Sequence, residues 1–461
     1  MQNETKSLGA RRWIAILLIG LCGQIAWAIE NNYINLWVYS QSFDASHITW
    51  MTMASAVVAT LTTFFIGALS DKLGKRKIFI SVGYTLWGIS VFAFGLMSLD
   101  NMKTLAGGDL EIAILLVGVM NVIVDCVMTF FGSTANDACF NAYVTDETNE
   151  KNRPFVESVL SVMPVISLAI MLGVGTMLGV PGEQGSLGKT EFASAQAKPW
   201  LIFFLAFGIF TTLVGIISFF LLPKDHIKPN REDHYFKHMV KGFFPKTIKD
   251  NKLFYICLLT FLFFNVAVDS FMPYIMVYIQ GLPSVTTGLG FLPSMAIIFA
   301  TGTAIVILIG AFLNRIGSRK VIHPSIVLMG LGALALFLAQ SDSYVWLLLG
   351  GIALISGYLV GTAALGAKIR DLTPAHDVGA FQSVRMVFVV MIPMIVGSNI
   401  SLAFFGETGV IDPSTGTNER PPNRMMFIVT IASLVLALIP ATWLYIEDSR
   451  KTSDIDGVKL D

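Results

Sequence analysis

The sequence predicts an all-α integral membrane protein, with twelve transmembrane helices in two pseudo-symmetric six-helix bundles. Three observations predict it. Of 461 residues, 54% belong to the AVILMFWYC set and 13% are charged, about half the roughly 25% of soluble domains, so a soluble surface could not be covered. Twelve runs are long and apolar enough to cross a bilayer. The two halves of the chain also echo each other. The 31 basic and 31 acidic residues cancel, which argues against a nucleic-acid partner. Cys22, Cys126, Cys139 and Cys257 are scattered, without a CxxC motif, and read as small apolar residues of helices.

A spanning helix needs about 20 mainly apolar residues. The runs fall at about 13–38, 48–70, 78–97, 111–135, 155–178, 199–222, 253–280, 286–313, 321–340, 344–366, 379–405 and 425–446. The first begins after Arg11-Arg12 and passes Ala26-Trp27-Ala28, which imitates a signal peptide. It continues unbroken to Val38, so it is read as an uncleaved span. The fourth can extend to about residue 144. The seventh contains Pro273, which frees backbone carbonyls near a bend.

With both termini on one side, that side receives 25 Lys and Arg and the other receives Lys103, Lys189, Lys198, Arg420 and Arg424. The positive-inside rule makes the basic side cytoplasmic, and the expected location is the plasma or inner cell membrane. The long polar stretch divides the chain into a first bundle (1–222), a cytoplasmic central loop (223–252), a second bundle (253–446) and a cytoplasmic tail (447–461). His234 and His238 stand four apart in that loop, but no further ligand set accompanies them, and the loop reads as a solvated tether without metal.

The loop after span two reads Gly67-Ala-Leu-Ser-Asp71-Lys-Leu-Gly74-Lys-Arg76-Lys77. The loop after span eight reads Gly310-Ala-Phe-Leu-Asn314-Arg-Ile-Gly317-Ser-Arg319-Lys320, with glycines, arginine and lysine at a constant offset of 243. Glu30 and Asp269 match at an offset of 239, and Asp146 and Asp371 at 225. Similarity between halves of one orientation indicates a duplicated bundle. The first loop resembles the signature of the major facilitator superfamily, G-x3-D-[RK]-x-G-[RK]-[RK]-[RK]. That resemblance implies the major facilitator fold and a conformational latch at Gly67, Asp71, Gly74, Arg76 and Lys77, echoed by Gly310, Asn314 and Arg319. Gly67 would let helices approach closely. Asp71 would face the positive end of span eleven near Gly379. Lys75, Arg76 and Lys77 would hold the turn at anionic headgroups.

Ionisable groups inside spans cost about 2.5–3.5 kcal/mol on insertion scales and default to function. Glu30, Asp125, Asp269 and Arg385 lie deep in spans, and Asp137 joins them if span four runs on. Trp27, Glu30, Tyr33 and Trp37 share one face of span one, with Gln24, Asn31 and Asn35 beside it. A carboxylate, amides and flat aromatics suit a sugar, although interfacial aromatics and packing amides would look the same. Asn121, Asp125, Thr129, Ser133 and Asp137 form a polar ribbon along span four, fit for a cation path. Asn265 and Asp269 share a face of span seven, and Arg385 is either a counter-ion for an acid or part of the latch.

The segment Asn136-Asp137-Ala-Cys-Phe140-Asn-Ala-Tyr-Val144 resembles the pattern of the glycoside–pentoside–hexuronide cation symporters and the related sucrose-type carriers. This implies that Asp137 serves cation and sugar, with Phe140 as scaffold and Glu30 near the sugar-binding acid of span one. The family's tryptophan is Asn141 here, its two span-two acids fall on Ala59 and Thr63, and 155–178 holds no arginine. Proton coupling through Asp125, Asp137 or Glu30 is therefore favoured over sodium.

The expectation is a secondary active transporter, a proton-coupled symporter of a sugar or glycoside working by alternating access as a monomer in the lipid bilayer, without cofactor. The alternative is a proton-driven efflux antiporter for drugs or apolar metabolites. Gly173-Val-Gly175-Thr-Met-Leu-Gly179-Val-Pro181 lacks the Gly-Pro pair that antiporters of the superfamily carry on span five. An enzyme is not expected, because no histidine lies deep in a span beside a nucleophile, and no Walker loop appears.

Overall fold

The computed structural model of the chain describes residues 8–148, 152–225, 241–339, 343–374, 378–407, 410–412 and 417–458. His234 and His238 lie outside the described residues. Among those described, twelve helices are long and apolar enough to cross a membrane. They are Ala10–Ser42, Ala45–Leu73, Lys77–Phe94, Leu110–Glu147, Val159–Leu178, Lys189–Leu221, Lys252–Asp269, Phe291–Ile309, Ser318–Leu338, Tyr344–Leu372, Phe381–Leu402 and Met425–Arg450. They are spans one to twelve below. The architecture is all-helical apart from a short ribbon, Val410–Asp412 paired antiparallel with Thr417–Asn418.

Span four runs on to Glu147, carrying Asp137 into the helix. Span seven is shorter than its apolar run. Regular helix stops at Asp269 and resumes only at Ile275–Gln280, because Pro273 has no N–H for a helical bond. The break is served from span eleven: Ser401 Oγ donates to Ser270 O at 2.7 Å, and Tyr274 Oη donates to Ser398 O at 3.0 Å.

The chain forms two compact units, one spanning Met1–Asp233 with Glu407–Pro421, the other His234–Gly406 with Pro422–Asp461. Membrane helices gain little from hydrophobicity against each other and pack through small residues instead. In the first unit a Cβ on Gly88 would stand 2.3 Å from Thr212 Oγ1, and one on Gly215 would stand 2.3 Å from the Thr85 nitrogen, so spans three and six touch backbone to backbone. Ser218 Oγ donates to Ser81 Oγ at 2.6 Å across the same seam. In the second unit, Gly332 and Gly357 bring spans nine and ten equally close, with Leu354 N at 2.2 Å and Met329 N at 2.4 Å from the added Cβ.

Among the described residues, three stretches of π-helix interrupt the spans: Ile29–Ile34 in span one, Ser133–Phe140 in span four and Val387–Met391 in span eleven. Such turns shift hydrogen bonds by one residue and leave carbonyls without their usual partner. Amide side chains take up several. Asn31, Asn32 and Asn35 donate to Trp27 O (2.9 Å), Ala28 O (2.8 Å) and Asn31 O (3.2 Å).

Candidate functional site

Glu30 lies inside the first π-helical stretch, and span four brings the hydroxyl of Thr129 to its Oε1 at 3.1 Å. Its Oε2 is buried without a hydrogen-bond partner. Asp125, one helical turn before Thr129, is 1% exposed. It takes a hydrogen bond from Ser55 of span two, and its Oδ1 has no partner. Asn121, a turn earlier, gives its amide to Val117 O at 2.8 Å and leaves its own Oδ1 buried and unpartnered. The charges of Asp125 and Asp137 both act on Glu30. Among the described residues no cation pairs with any of these acids.

Asp137 is in different surroundings. Ser133 Oγ and Asn136 Nδ2 each reach it at 3.1 Å, and Trp27 adds a third hydrogen bond. The Tyr84 hydroxyl in turn stands 3.0 Å from Asn136 Oδ1. Asp137 is thus half-buried and well supplied with donors, whereas Glu30 and Asp125 each keep an orphan oxygen. Trp27 is half-exposed and packs on Trp87 with ring centroids 5.0 Å apart.

The remaining span-one candidates have other employment. Tyr33 is fully buried, stacked on Phe203 at 5.0 Å, and Trp37 lies beside Trp200 at 5.7 Å. Both belong to the aromatic interior of the first unit. Asn31 is exposed and serves the π-helical backbone. In the second unit, Asn265 Nδ2 donates to Val389 O at 2.6 Å, a carbonyl within the span-eleven π-helix. Asp269 is half-buried, and the described residues give it neither hydrogen bond nor ion pair. Tyr358 of span ten is close enough to feel its charge. Arg385 is half-buried near Arg370 and pairs with no carboxylate among the described residues.

The basic-loop motif is built around Arg76. Its guanidinium pairs with Asp71, with Asp146 at 3.3 Å and with Ser70 Oγ at 2.8 Å. Burial alone would lower Arg76, but Asp71 and Asp146 outweigh it and hold the group above its ordinary value. Arg76 therefore turns inward instead of toward headgroups, and Lys77 donates to Leu222 O at 3.1 Å. Lys72 and Lys75 are the exposed cations of the turn. Gly74 and Gly317 sit at φ 63° and 85°, left-handed conformations that explain a glycine in both copies. Gly67 departs from expectation: a Cβ there meets nothing within 4 Å, so no described helix approaches it closely. Arg319 finds its acid on span twelve, Asp448 at 3.6 Å, and covers Tyr445 at 5.1 Å. The side chain of Asn314 and the surroundings of Gly310 lie outside the described residues.

Sequence reasoning missed Ser55 and Tyr358. Ser55 could have been found as the polar residue one turn before Ala59 and two before Thr63 on span two. Tyr358 carried no signal, since a lone tyrosine among apolar residues is ordinary in a span.

Fold and site together define a class: a multi-pass membrane protein with ionisable groups buried along its helices, as solute pathways require. The model of the Major Facilitator Superfamily matches residues 13–398; the chain belongs to that superfamily and is a membrane transporter of its type. Solved structures share the fold. A mutant of the nucleoside transporter NupG superposes with TM-score 0.64 at 12% identity, covering 93% of this chain and 98% of that one. The xylose transporter XylE from E. coli, partially occluded and inward open, gives 0.62 at 11%, covering 94% and 98%. A bacterial homologue of the human lysosomal transporter Spinster gives 0.60 at 15%, covering 95% and 97%. No curated protein sequence matches the chain.

Proposed function

We propose that the chain is a proton-coupled symporter of a sugar or glycoside, with both termini cytoplasmic, working by alternating access in the cell membrane. One observation carries the reading. Glu30 Oε2, Asp125 Oδ1 and Asn121 Oδ1 are buried without partners along one stretch of spans one and four. Burying an ionised carboxylate without a cation costs several kcal/mol, and two adjacent negative charges add repulsion. A proton on the pair removes one charge and supplies the donor that an orphan oxygen needs. The hydroxyls of Ser55 and Thr129 orient the acids without neutralising them.

Two further features support symport. The well-supplied Asp137 lies farther along the polar ribbon, where a proton leaving Asp125 could pass toward the basic side. Trp27 offers a half-exposed indole face of the kind that stacks on the apolar face of a sugar ring, beside carboxylates that accept its hydroxyls. Ala59 and Thr63 add no carboxylate to the site, which supports a proton over sodium.

The test is external pH in lightly buffered, de-energised cells expressing the protein, with sugars and glycosides added singly, with and without sodium. The expected result is sodium-independent alkalinisation by one class of sugar, absent from cells carrying the empty vector and lost in Asp125→Asn and in Glu30→Gln. Silence across the panel at confirmed expression overturns sugar symport and moves attention to efflux of dyes and metabolites.

A further inference from the structure

The loop between spans six and seven is not polar throughout. Its last stretch reads Lys241-Gly-Phe-Phe244-Pro-Lys246-Thr-Ile248-Lys249-Asp250, and Phe243, Phe244 and Ile248 are 38%, 47% and 40% exposed. A tether running through water gains nothing from three large apolar side chains on its surface. Pro245, with its preset φ, opens a short helix, Pro245–Asp250, that Phe244 precedes as N-cap. At about 100° per residue, Phe244 and Ile248 fall on one side of it and Lys246 and Lys249 on the other, and all four are exposed. Asp250 is the one acid of this helix.

Contacts within the second unit fix the height of this segment. The hydroxyl of Tyr255, in the first turn of span seven, donates to Gly242 O, which folds the segment back against the entry of that span. Phe381, where span eleven begins, packs on Phe254 and Tyr255 with ring centroids 4.7 and 6.3 Å apart. Lys252 Nζ lies over the ring of Trp443 at 5.1 Å and reaches Glu447 at 2.9 Å. Trp443 and Tyr445 are exposed near the end of span twelve, as tryptophan and tyrosine are where a span leaves hydrocarbon for water. The start of span seven therefore lies at the membrane–water boundary, with residues 243–250 beside it.

We propose that residues 243–250 are an interfacial foot that binds the anionic phospholipids of the adjoining leaflet. Phe244 and Ile248 seat at the acyl boundary, and Lys246 and Lys249 meet the phosphate groups. Apolar side chains gain by leaving water for that boundary, and lysine stems run along apolar surface while their ammonium groups stay with the phosphates. The occupant is a bilayer, because the segment stands at the level that the aromatic side chains of span twelve mark, and its lysines outnumber its acid. The inference rests on the chain being a membrane protein and is independent of substrate and coupling ion.

The test uses the full-length protein in bilayer discs, with a nitroxide on Ile248→Cys or on Lys246→Cys and the unsubstituted chain treated alike as background. Collision with oxygen, which concentrates among acyl chains, is compared with collision with a water-soluble nickel complex. The label at 248 is expected to favour oxygen over nickel about fivefold more than the label at 246. A label at 248 that meets nickel as readily as the one at 246 overturns the foot, and so does one that meets neither probe, because protein then covers the site. Headgroup charge is tested by deuterium exchange of residues 246–251 in phosphatidylcholine discs with and without phosphatidylglycerol. Exchange is expected to be about fivefold slower with phosphatidylglycerol, and Lys246→Gln combined with Lys249→Gln should abolish the difference. Rates that agree within about twofold overturn recognition of the anionic lipid. Equal slowing by inorganic phosphate in phosphatidylcholine discs overturns it too, since the site then takes a soluble anion.

Discussion

The first helix of each half carries an acid where regular helix gives way, and the two acids keep different company. Glu30 lies in a π-helical stretch, buried beside Asp125 and the hydroxyls of Thr129 and Ser55. Asp269 ends the helical part of span seven, half-buried near Tyr358, and no second acid acts on it. At the offset that relates Asp146 to Asp371, the residue echoing Asp125 is Gly350, and Leu336 packs over it at 3.0 Å from an added Cβ. The duplicated architecture has the helix irregularity in both halves and the acidic pair in one. Where the backbone is irregular is a property of the repeat; what the irregularity does depends on which side chains a neighbouring helix supplies.

The sharpest way to break this comparison is to remove the pair's charge. Asp125→Asn, or Glu30→Gln, is expected to abolish uphill accumulation while leaving exchange of substrate across the membrane intact. At a potential of about 100 mV, one coupled charge supplies about 2.3 kcal/mol, so the accumulation ratio should fall by about 50-fold. Asp269→Asn should leave coupling in place and raise the half-saturation concentration about tenfold, the effect of about 1.4 kcal/mol lost from one hydrogen bond to a charged group. Uptake at varied substrate and pH separates the two outcomes, and equal loss of coupling in both variants would dissolve the distinction.

The basic loops offer the same contrast in stability. Arg76 is buried and held by two acids that are themselves partly exposed, so Arg76→Ala removes a buried hydrogen-bonding centre while water takes up the acids, and should destabilise by about 1–3 kcal/mol. Arg319→Ala should cost about 1 kcal/mol or less, because Asp448 retains Lys368 at 2.7 Å. Thermal unfolding in detergent compares them, and similar losses would show that the duplicated motif is used alike in both halves. The smallest effect is expected at Gly67. Gly67→Ala meets open space and should stay within about 0.5 kcal/mol, whereas Gly88→Ala forces spans three and six apart and should cost about 1–3 kcal/mol.

Much of the fold was legible because the bilayer demands so much of a sequence. Each span must satisfy its backbone internally and present apolar side chains, so twelve helices, their order and the break at Pro273 all follow from local residues. The deep acids were legible for the same reason, since a charge in hydrocarbon stands out. Span four could be seen to carry Asp125 and Asp137 on one ribbon. Their difference could not be seen, because it comes in part from Trp27 of span one, which reaches Asp137, and Ser55 of span two, which reaches Asp125, and convergence across helices leaves no trace in spacing. Tyr33 shows the reverse error: it shares a helical face with Glu30, yet Phe203 and Trp200 of span six enclose it.

The sequence by itself determined that this chain is an all-helical, duplicated membrane protein with acids buried in both halves, because hydropathy and charge are local costs paid residue by residue. Only the tertiary structure decided that Glu30 and Asp125 each keep one buried oxygen without a partner and that Arg76 turns inward. Those outcomes depend on which helices meet, and contacts between residues 70 to 99 positions apart, such as Arg76 with Asp146 and Glu30 with Thr129, are settled by packing.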